Sequence, residues 1–162
     1  MLHLIPPQLH IALLRAAHQL RLQWWRWRRT RVAGAQVVAI DPQGRVLLIR
    51  HSYGLHHWTL PGGGLARGES AIAAAVREAR EEAGVILAEP VEIAVMRHMP
   101  HGSDNDVRVI AGWTSDTPRA DGREIVAAQF FAVADLPADI ARSLPGLLPG
   151  YVTAAKAARQ AR

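Results

Sequence analysis

The stretch from Gly63 to Val85 constrains this chain most, because it joins a glycine-rich loop to a short helix that carries three clustered carboxylates. Ser70 stands where a helix N-cap is expected, and Gly84 stands where the helix would end. Between them, apolar residues recur at helical intervals and predict one buried stripe. The stripe comprises Ile72, Ala75, Val76, Ala79 and Ala83.

Three glutamates of this helix, Glu78, Glu81 and Glu82, stand at positions i, i+3 and i+4 and are predicted to share one face. We expect that face to point away from the apolar stripe. Like charges at this spacing weaken a helix by roughly a few tenths of a kcal/mol, and a bound cation would relieve the repulsion. Because Mg²⁺ sites commonly combine carboxylates with substrate phosphates, the pattern indicates a metal site that acts on a phosphoanhydride. A lone E-x-x-E-E would instead be interpreted as a solvated helix face.

The same stretch resembles the Nudix box, in which glycine, glutamate, Arg-Glu, Glu-Glu and a final glycine recur at fixed spacing. Every fixed position is matched, and Ala79 is smaller than the usual aliphatic residue at its place. The matching residues are Gly63, Glu69, Arg77, Glu78, Glu81, Glu82, Gly84 and Val85. The resemblance extends more loosely from about Val32 to Pro137, and it implies an α/β/α sandwich around a mixed sheet.

The resemblance further implies an enzyme, a metal-dependent hydrolase that cleaves a phosphoanhydride bond in a nucleoside diphosphate linked to another moiety. An ADP-ribose-like compound or a nucleoside triphosphate is compatible with this reading. The alternative is a Nudix-fold module that binds nucleotides with little turnover. Mg²⁺ or Mn²⁺ is the expected cofactor, and its implied ligands are the carbonyl of Gly62 and the carboxylates of Glu78, Glu81 and Glu82.

Further roles are assigned to particular residues, with Glu69 expected to shape the site. Catalytic roles are predicted for Arg77, Glu81, Glu82 and Glu124. Substrate contacts are predicted for Arg50, Gly63 and Gly64. The general base stays open, because Asp104 and Asp106 compete with Glu124 and sequence does not show which carboxylate reaches the attacking water.

The absence of cysteine and the spacing of the histidines exclude several kinds of site. The absence of cysteine excludes disulfides, thiol nucleophiles and thiolate zinc sites. The histidines of the loops do not form a recognised zinc spacing and are predicted to contact substrate phosphate or to lie at the surface. These are His51, His56, His57, His98 and His101.

The net charge of +5 is confined to one end of the chain. Residues 1–31 hold six arginines and no acidic residue, which leaves 13 basic and 14 acidic side chains for residues 32–162. We therefore predict two parts, a basic arm over 1–31 and a hydrolase domain over 32–162, and we do not expect the domain to bind nucleic acid.

Within the arm, residues 8–29 predict an amphipathic helix whose stripe includes Leu13, Leu20, Trp24 and Trp27. We expect this stripe to be buried against the domain or against a second subunit in a homodimer, and association with a membrane surface is the less favoured alternative. No apolar run reaches the ~20 residues needed to span a bilayer, and no signal peptide is evident, so a cytoplasmic location is expected.

The remaining pattern is that of an α+β domain, because several strands flank one central helix and a second helix follows late. Strands are predicted over residues 33–40, 45–50, 91–98, 106–114 and 124–133, with a turn at 41–44. A C-terminal helix is predicted over about residues 152–162.

Overall fold

The computed structural model describes residues 33–52, 56–98, 105–120, 122 and 124–162. The predicted arm helix and Asp104 lie outside these ranges. Seven strands form one sheet: β1 (Gly34–Ile40), β2 (Val46–His51), β3 (Trp58–Thr59), β4 (Gly62–Gly64), β5 (Ala88–His98), β6 (Asn105–Trp113) and β7 (Ile125–Phe131). Two helices are described, α1 (Ala71–Ala83) and α2 (Leu144–Gln160).

The sheet is mixed, as predicted. Strand β1 pairs in parallel with β6. The other pairs are antiparallel, and they join β1 to β2, β1 to β4, β2 to β3, β2 to β7, and β5 to β6. The β1–β2 turn is held by Asp41, whose Oδ1 accepts hydrogen bonds from the backbone N–H groups of Gln43 and Arg45. Gly44 supplies the left-handed conformation of this turn, with φ at 78°.

Strands β1 and β2 diverge soon after this turn, and the divergence creates the place for the site. They share the register pair Ile40 and Val46. Further along, β2 pairs instead with β3, and β1 pairs with β4. The short strands β3 and β4 therefore lie in the opening between the two longer strands, and β4 brings the three glycines into the sheet.

Alternating side chains of β1 divide the core into two layers. Ala35, Val37 and Ala39 pack on the side of α1, whereas Val38 and Ile40 pack on the side of α2. The sheet thus lies between two helices, which confirms the predicted α/β/α sandwich. Among the described helices, neither is long and apolar enough to cross a membrane.

The ends of α1 are as predicted, but its buried face is not. Ser70 Oγ accepts a hydrogen bond from the N–H of Ala73, and Gly84 ends the helix in the left-handed conformation. Ile72 was expected to be buried and is 40% exposed. Glu82 was expected to face solvent and is only 8% exposed. Because most of the helix is alanine, the side that meets the sheet is set by the short side chains around Glu82 and not by the larger apolar residues.

Helix α2 begins about two turns earlier than the predicted residue 152. Pro145 lies in its first turn, where a missing N–H costs little, and Pro149 lies inside the helix. The sequence predicted the helix only from about residue 152. Burial of Leu144 and Leu148 in the core on this side of the sheet favours the two additional turns.

Candidate active site

Glu82 lies at the centre of the candidate site, although α1 carries it on the face that meets the sheet. Its Oε2 accepts a 2.8 Å hydrogen bond from the backbone N–H of Gly62 in β4. Burial raises the pKa of Glu82 to about 8, although the hydrogen bond from the N–H of Gly62 acts in the opposite direction and lowers it. A carboxylate that is costly to ionise here is a candidate for binding a cation or a proton.

Three other carboxylates surround Glu82 closely enough to affect its charge. The negative charges of Glu78, Glu124 and Glu81 each raise the pKa of Glu82 further. Glu78 and Glu81 come from the same helix, whereas Glu124 precedes β7 and is brought in by the pairing of β7 with β2. The carbonyl of Glu124 accepts a hydrogen bond from the N–H of Ser52, which fixes the backbone of Glu124 beside the end of β2.

Arg77 holds the outer carboxylates in place. Its Nε and one terminal nitrogen donate to the two oxygens of Glu69, at 2.9 and 3.0 Å. The other terminal nitrogen donates to Glu78 at 2.7 Å and to Glu81 at 3.1 Å. The hydrogen bonds from Arg77, followed by that from the N–H of Ala66, lower the pKa of Glu69 to about 2. The same contacts, that with Glu69 first, raise the pKa of Arg77 above its ordinary value.

The glycines of β4 allow the helix to approach the sheet this closely. A Cβ on Gly63 would lie 2.2 Å from Oε1 of Glu78, and one on Gly62 would lie 2.4 Å from the carbonyl oxygen of Ala35. Gly64 has no such neighbour within 4 Å, although its carbonyl accepts a hydrogen bond from Arg77. Gly62 is therefore required by space, because it faces backbone atoms, whereas a side chain at Gly63 would displace the carboxylate of Glu78.

Two residues assigned from the sequence are not brought to this cluster. Arg50 lies on the opposite face of the sheet, where its guanidinium stacks 4.8 Å from the ring centroid of Trp58 and pairs with Asp139. Asp106 is exposed on β6 and is not among the charges that act on Glu82. Of the base candidates within the described residues, Glu124 is the one placed near Glu82.

His51 is a neighbour of the site that the sequence reasoning did not single out. Its Nε2 lies 4.0 Å from Oε1 of Glu82, at the end of β2 where the pairing with β7 is irregular. The signal available was its position at the end of a strand that leads toward the glycine-rich loop. That signal did not separate His51 from the four other histidines of the loops.

The donors present have the chemistry that Mg²⁺ or Mn²⁺ requires. Four carboxylates, those of Glu78, Glu81, Glu82 and Glu124, provide hard oxygen atoms, and their mutual repulsion would fall if a cation bound. Over the described part of the chain, no three such groups already converge as a finished metal centre. The guanidinium of Arg77 bridges Glu78 and Glu81 in this arrangement. The residues therefore fit a divalent cation by charge and donor type.

The chain is similar in sequence to known proteins. A family model described as the NUDIX domain matches residues 30–150. A Bacillus subtilis (strain 168) protein named "Putative 8-oxo-dGTP diphosphatase" is 33% identical over 104 residues, which are 64% of this chain and 68% of that protein. A Sus scrofa bis(5'-nucleosyl)-tetraphosphatase (asymmetrical) is 51% identical over 39 residues, which are 24% of this chain and 26% of that protein.

The fold is also similar to solved structures. The crystal structure of a MutT NUDIX hydrolase from Burkholderia pseudomallei superposes with a TM-score of 0.65 at 27% identity. The match covers 74% of this chain and 97% of that one.

Proposed function

The chain belongs to the NUDIX domain family and is a hydrolase of that family. We propose that it cleaves a phosphoanhydride bond in a nucleoside diphosphate linked to another group, and that it uses a divalent cation. The observation that carries this proposal is the burial of Glu82 among three further carboxylates, with its Oε2 bound to the N–H of Gly62. A merely structural helix would gain nothing from this arrangement, because burying an acid among acids costs stability. The cost is expected at a site that binds a cation.

The proposed ligands of Mg²⁺ or Mn²⁺ are Glu78, Glu81 and Glu82, with the carbonyl of Gly62 as a further candidate. When bound, such a cation would neutralise charge on the diphosphate and help to deprotonate water. Arg77 orients Glu78 and Glu81 through its hydrogen bonds, and Glu69 fixes Arg77 from the other side. Glu124 is the proposed general base, because its charge already affects Glu82.

The substrate class rests on chemistry common to the similar proteins. The names of the two curated relatives describe a diphosphatase and a tetraphosphatase, both of which act on nucleotides. We therefore expect a nucleotide with at least two linked phosphates, whose negative charge suits a cation held by carboxylates. ADP-ribose-like compounds and nucleoside triphosphates both meet this requirement.

A substrate panel tests the proposal directly. The panel should hold nucleoside triphosphates, dinucleoside polyphosphates and nucleoside diphosphate sugars, each incubated with Mg²⁺ or Mn²⁺ and each read by chromatographic separation of the nucleotide products. We expect turnover of at least one class, and none in excess EDTA. Full turnover in EDTA would refute the cation mechanism.

A matched pair of variants separates hydrolysis from binding alone. Glu82→Gln removes the buried charge. Glu92→Gln instead alters an acid of β5 that pairs with Arg108 of β6, away from this cluster. Hydrolysis should be lost in the first variant and kept in the second. Nucleotide binding without turnover of any substrate in the unmodified protein would instead identify a binding module.

A further inference from the structure

A histidine nitrogen lies beside the carboxylate cluster. The Nε2 atom of His51 is 4.0 Å from Oε1 of Glu82. The other oxygen of that carboxylate, Oε2, accepts a hydrogen bond from the N–H of Gly62. His51 is half-buried and Glu82 is buried, so the two side chains meet in a place that is largely withdrawn from solvent. The imidazole therefore lies next to the oxygen of Glu82 that does not bind the glycine-rich strand.

The end of β2 places His51 on the same side of the sheet as α1. Neighbouring side chains of a strand point to opposite faces, and Arg50 stacks on Trp58 on the face away from the carboxylates. His51 lies opposite Ile125 of β7, which packs in the core on the side of α1. The pairing shifts register between Arg50 and His51, and such irregularities often re-aim a side chain next to a site.

The distance between His51 and Glu82 suits two ligands of one cation. A charge-assisted hydrogen bond between the two groups would be about 2.7–2.9 Å long. Donors that bind an octahedral cation at about 2.1 Å lie about 3.0 Å apart when they are adjacent and about 4.2 Å apart when they are opposite. The observed 4.0 Å between Nε2 and Oε1 exceeds the hydrogen-bond length and falls inside the interval for shared ligands.

We propose that Nε2 of His51 is a ligand of the divalent cation, beside the carboxylates, and that this nitrogen makes the site prefer a first-row transition-metal ion such as Mn²⁺ over Mg²⁺. The inference rests on the proposed function, because it concerns the cation that the carboxylates are proposed to hold. Mg²⁺ is bound by oxygen ligands, whereas imidazole is a common ligand of transition-metal ions. A set of carboxylates alone would give no such reason for the preference.

Electron spin-echo envelope modulation of bound Mn²⁺ tests the proposal without turnover. This spectroscopy detects a nitrogen nucleus bonded to the ion and distinguishes ¹⁴N from ¹⁵N. Each sample is the whole untagged chain with one equivalent of Mn²⁺ and no nucleotide. The samples are the unmodified protein, the unmodified protein labelled with ¹⁵N-histidine, His51→Gln, and His57→Gln, which alters an exposed histidine and is the matched control.

We expect ¹⁴N modulation in the unmodified protein and in His57→Gln, the ¹⁵N pattern after labelling, and loss of the signal in His51→Gln. The labelled sample assigns the signal to histidine even if the variant folds poorly. Calorimetric titration should show that His51→Gln raises the Kd for Mn²⁺ about 10-fold or more and the Kd for Mg²⁺ much less. Absence of histidine modulation, the same modulation in His51→Gln, an equal change in the two Kd values, or no binding of Mn²⁺ would overturn the proposal.

Failure of this inference and failure of the proposed function give different results. Hydrolysis of a nucleotide by a protein without histidine modulation would overturn the role of His51 and leave the proposed function intact. Histidine coordination without hydrolysis of any member of the substrate panel would refute the proposed function and leave the role of His51 standing.

Discussion

The backbone N–H of Gly62 donates a 2.8 Å hydrogen bond to Oε2 of Glu82, which ties the glycine-rich strand β4 to the far end of helix α1. The two residues are 20 positions apart in the chain, and the contact closes the loop between them over the carboxylate cluster. Glu82 is thereby held in a buried position at a single orientation. A cation or a substrate phosphate would meet an arranged site and not a flexible helix surface.

Replacing Glu82 with glutamine should lower kcat roughly 100-fold or more while leaving the protein folded. Glutamine has nearly the same shape and keeps an oxygen that can accept from Gly62, so only the charge is removed. Steady-state kinetics and circular dichroism on the same preparations check both parts. A variant that retains near-normal turnover would show that Glu82 has no part in the reaction.

The stability of the metal-free protein should fall as pH rises from about 4.5 to about 8. Burial raises the pKa of Glu82 to about 8 from an ordinary value of 4.5. Between those values the folded protein holds a proton that the unfolded chain has released, so folding is progressively less favourable as pH rises through this window. Melting temperatures in EDTA at several pH values measure the effect.

Two controls accompany this pH dependence. Glu82→Gln removes the titrating group and should flatten the curve between about pH 4.5 and 8. Saturating Mg²⁺ should raise the melting temperature most at high pH, because the cation binds the ionised carboxylates. A metal-free protein whose melting temperature is highest at pH 9 would contradict the assignment.

Gly63→Ala should impair catalysis more than it impairs folding. The added Cβ would lie 2.2 Å from Oε1 of Glu78, at the end of a side chain that can move aside. We expect a fall in kcat of about 100-fold, because a displacement of about 1 Å in a catalytic group can have that effect. Gly64→Ala is the matched comparison and should have a smaller effect, since nothing lies within 4 Å of its added Cβ. Equal losses in the two variants would argue against crowding of Glu78.

Much of the fold could be predicted from local sequence signals. Ser70 and Gly84 gave the ends of α1 because capping depends on side-chain chemistry close in sequence. The turn at Asp41 was predictable for the same reason. Strands β3 and β4, of two and three residues, are too short to show a period, and they exist because the divergence of β1 and β2 leaves partners for them.

The orientation of the site was harder to predict than its composition. Helical spacing placed Glu78, Glu81 and Glu82 near one another, but it could not show that the sheet would lie against Glu82. In a helix whose buried positions are mainly alanine, no large apolar side chain marks the inner face. Contacts such as that between His51 of β2 and Glu82 of α1 join elements that are distant in the sequence, and they have no local signal.

Arg77→Lys should lower kcat although the positive charge is kept. The guanidinium donates to both oxygens of Glu69 and bridges Glu78 with Glu81, and an ammonium group cannot reproduce this planar arrangement. We expect a loss of about 10-fold to 100-fold, as found when groups that orient metal ligands are removed. Arg80→Lys, on the exposed side of the same helix, is the control and should keep normal rates. If both variants are equally active, the bridge is not needed for activity.

Glu124→Gln should lower kcat roughly 100-fold or more while changing KM little, because a general base acts in the transition state and not in binding of the substrate. The structure places Glu124 near enough to raise the pKa of Glu82, whereas Asp106 is exposed on β6 and does not contribute to that shift. Asp106→Asn is therefore the matched comparison and should leave kcat near normal.

The decisive measurement is the dependence of kcat on pH for both variants at saturating Mg²⁺ and substrate. Loss of the acidic limb in Glu124→Gln alone would assign the base to Glu124. An unchanged kcat in Glu124→Gln would exclude it and direct attention to Asp106 and to Asp104.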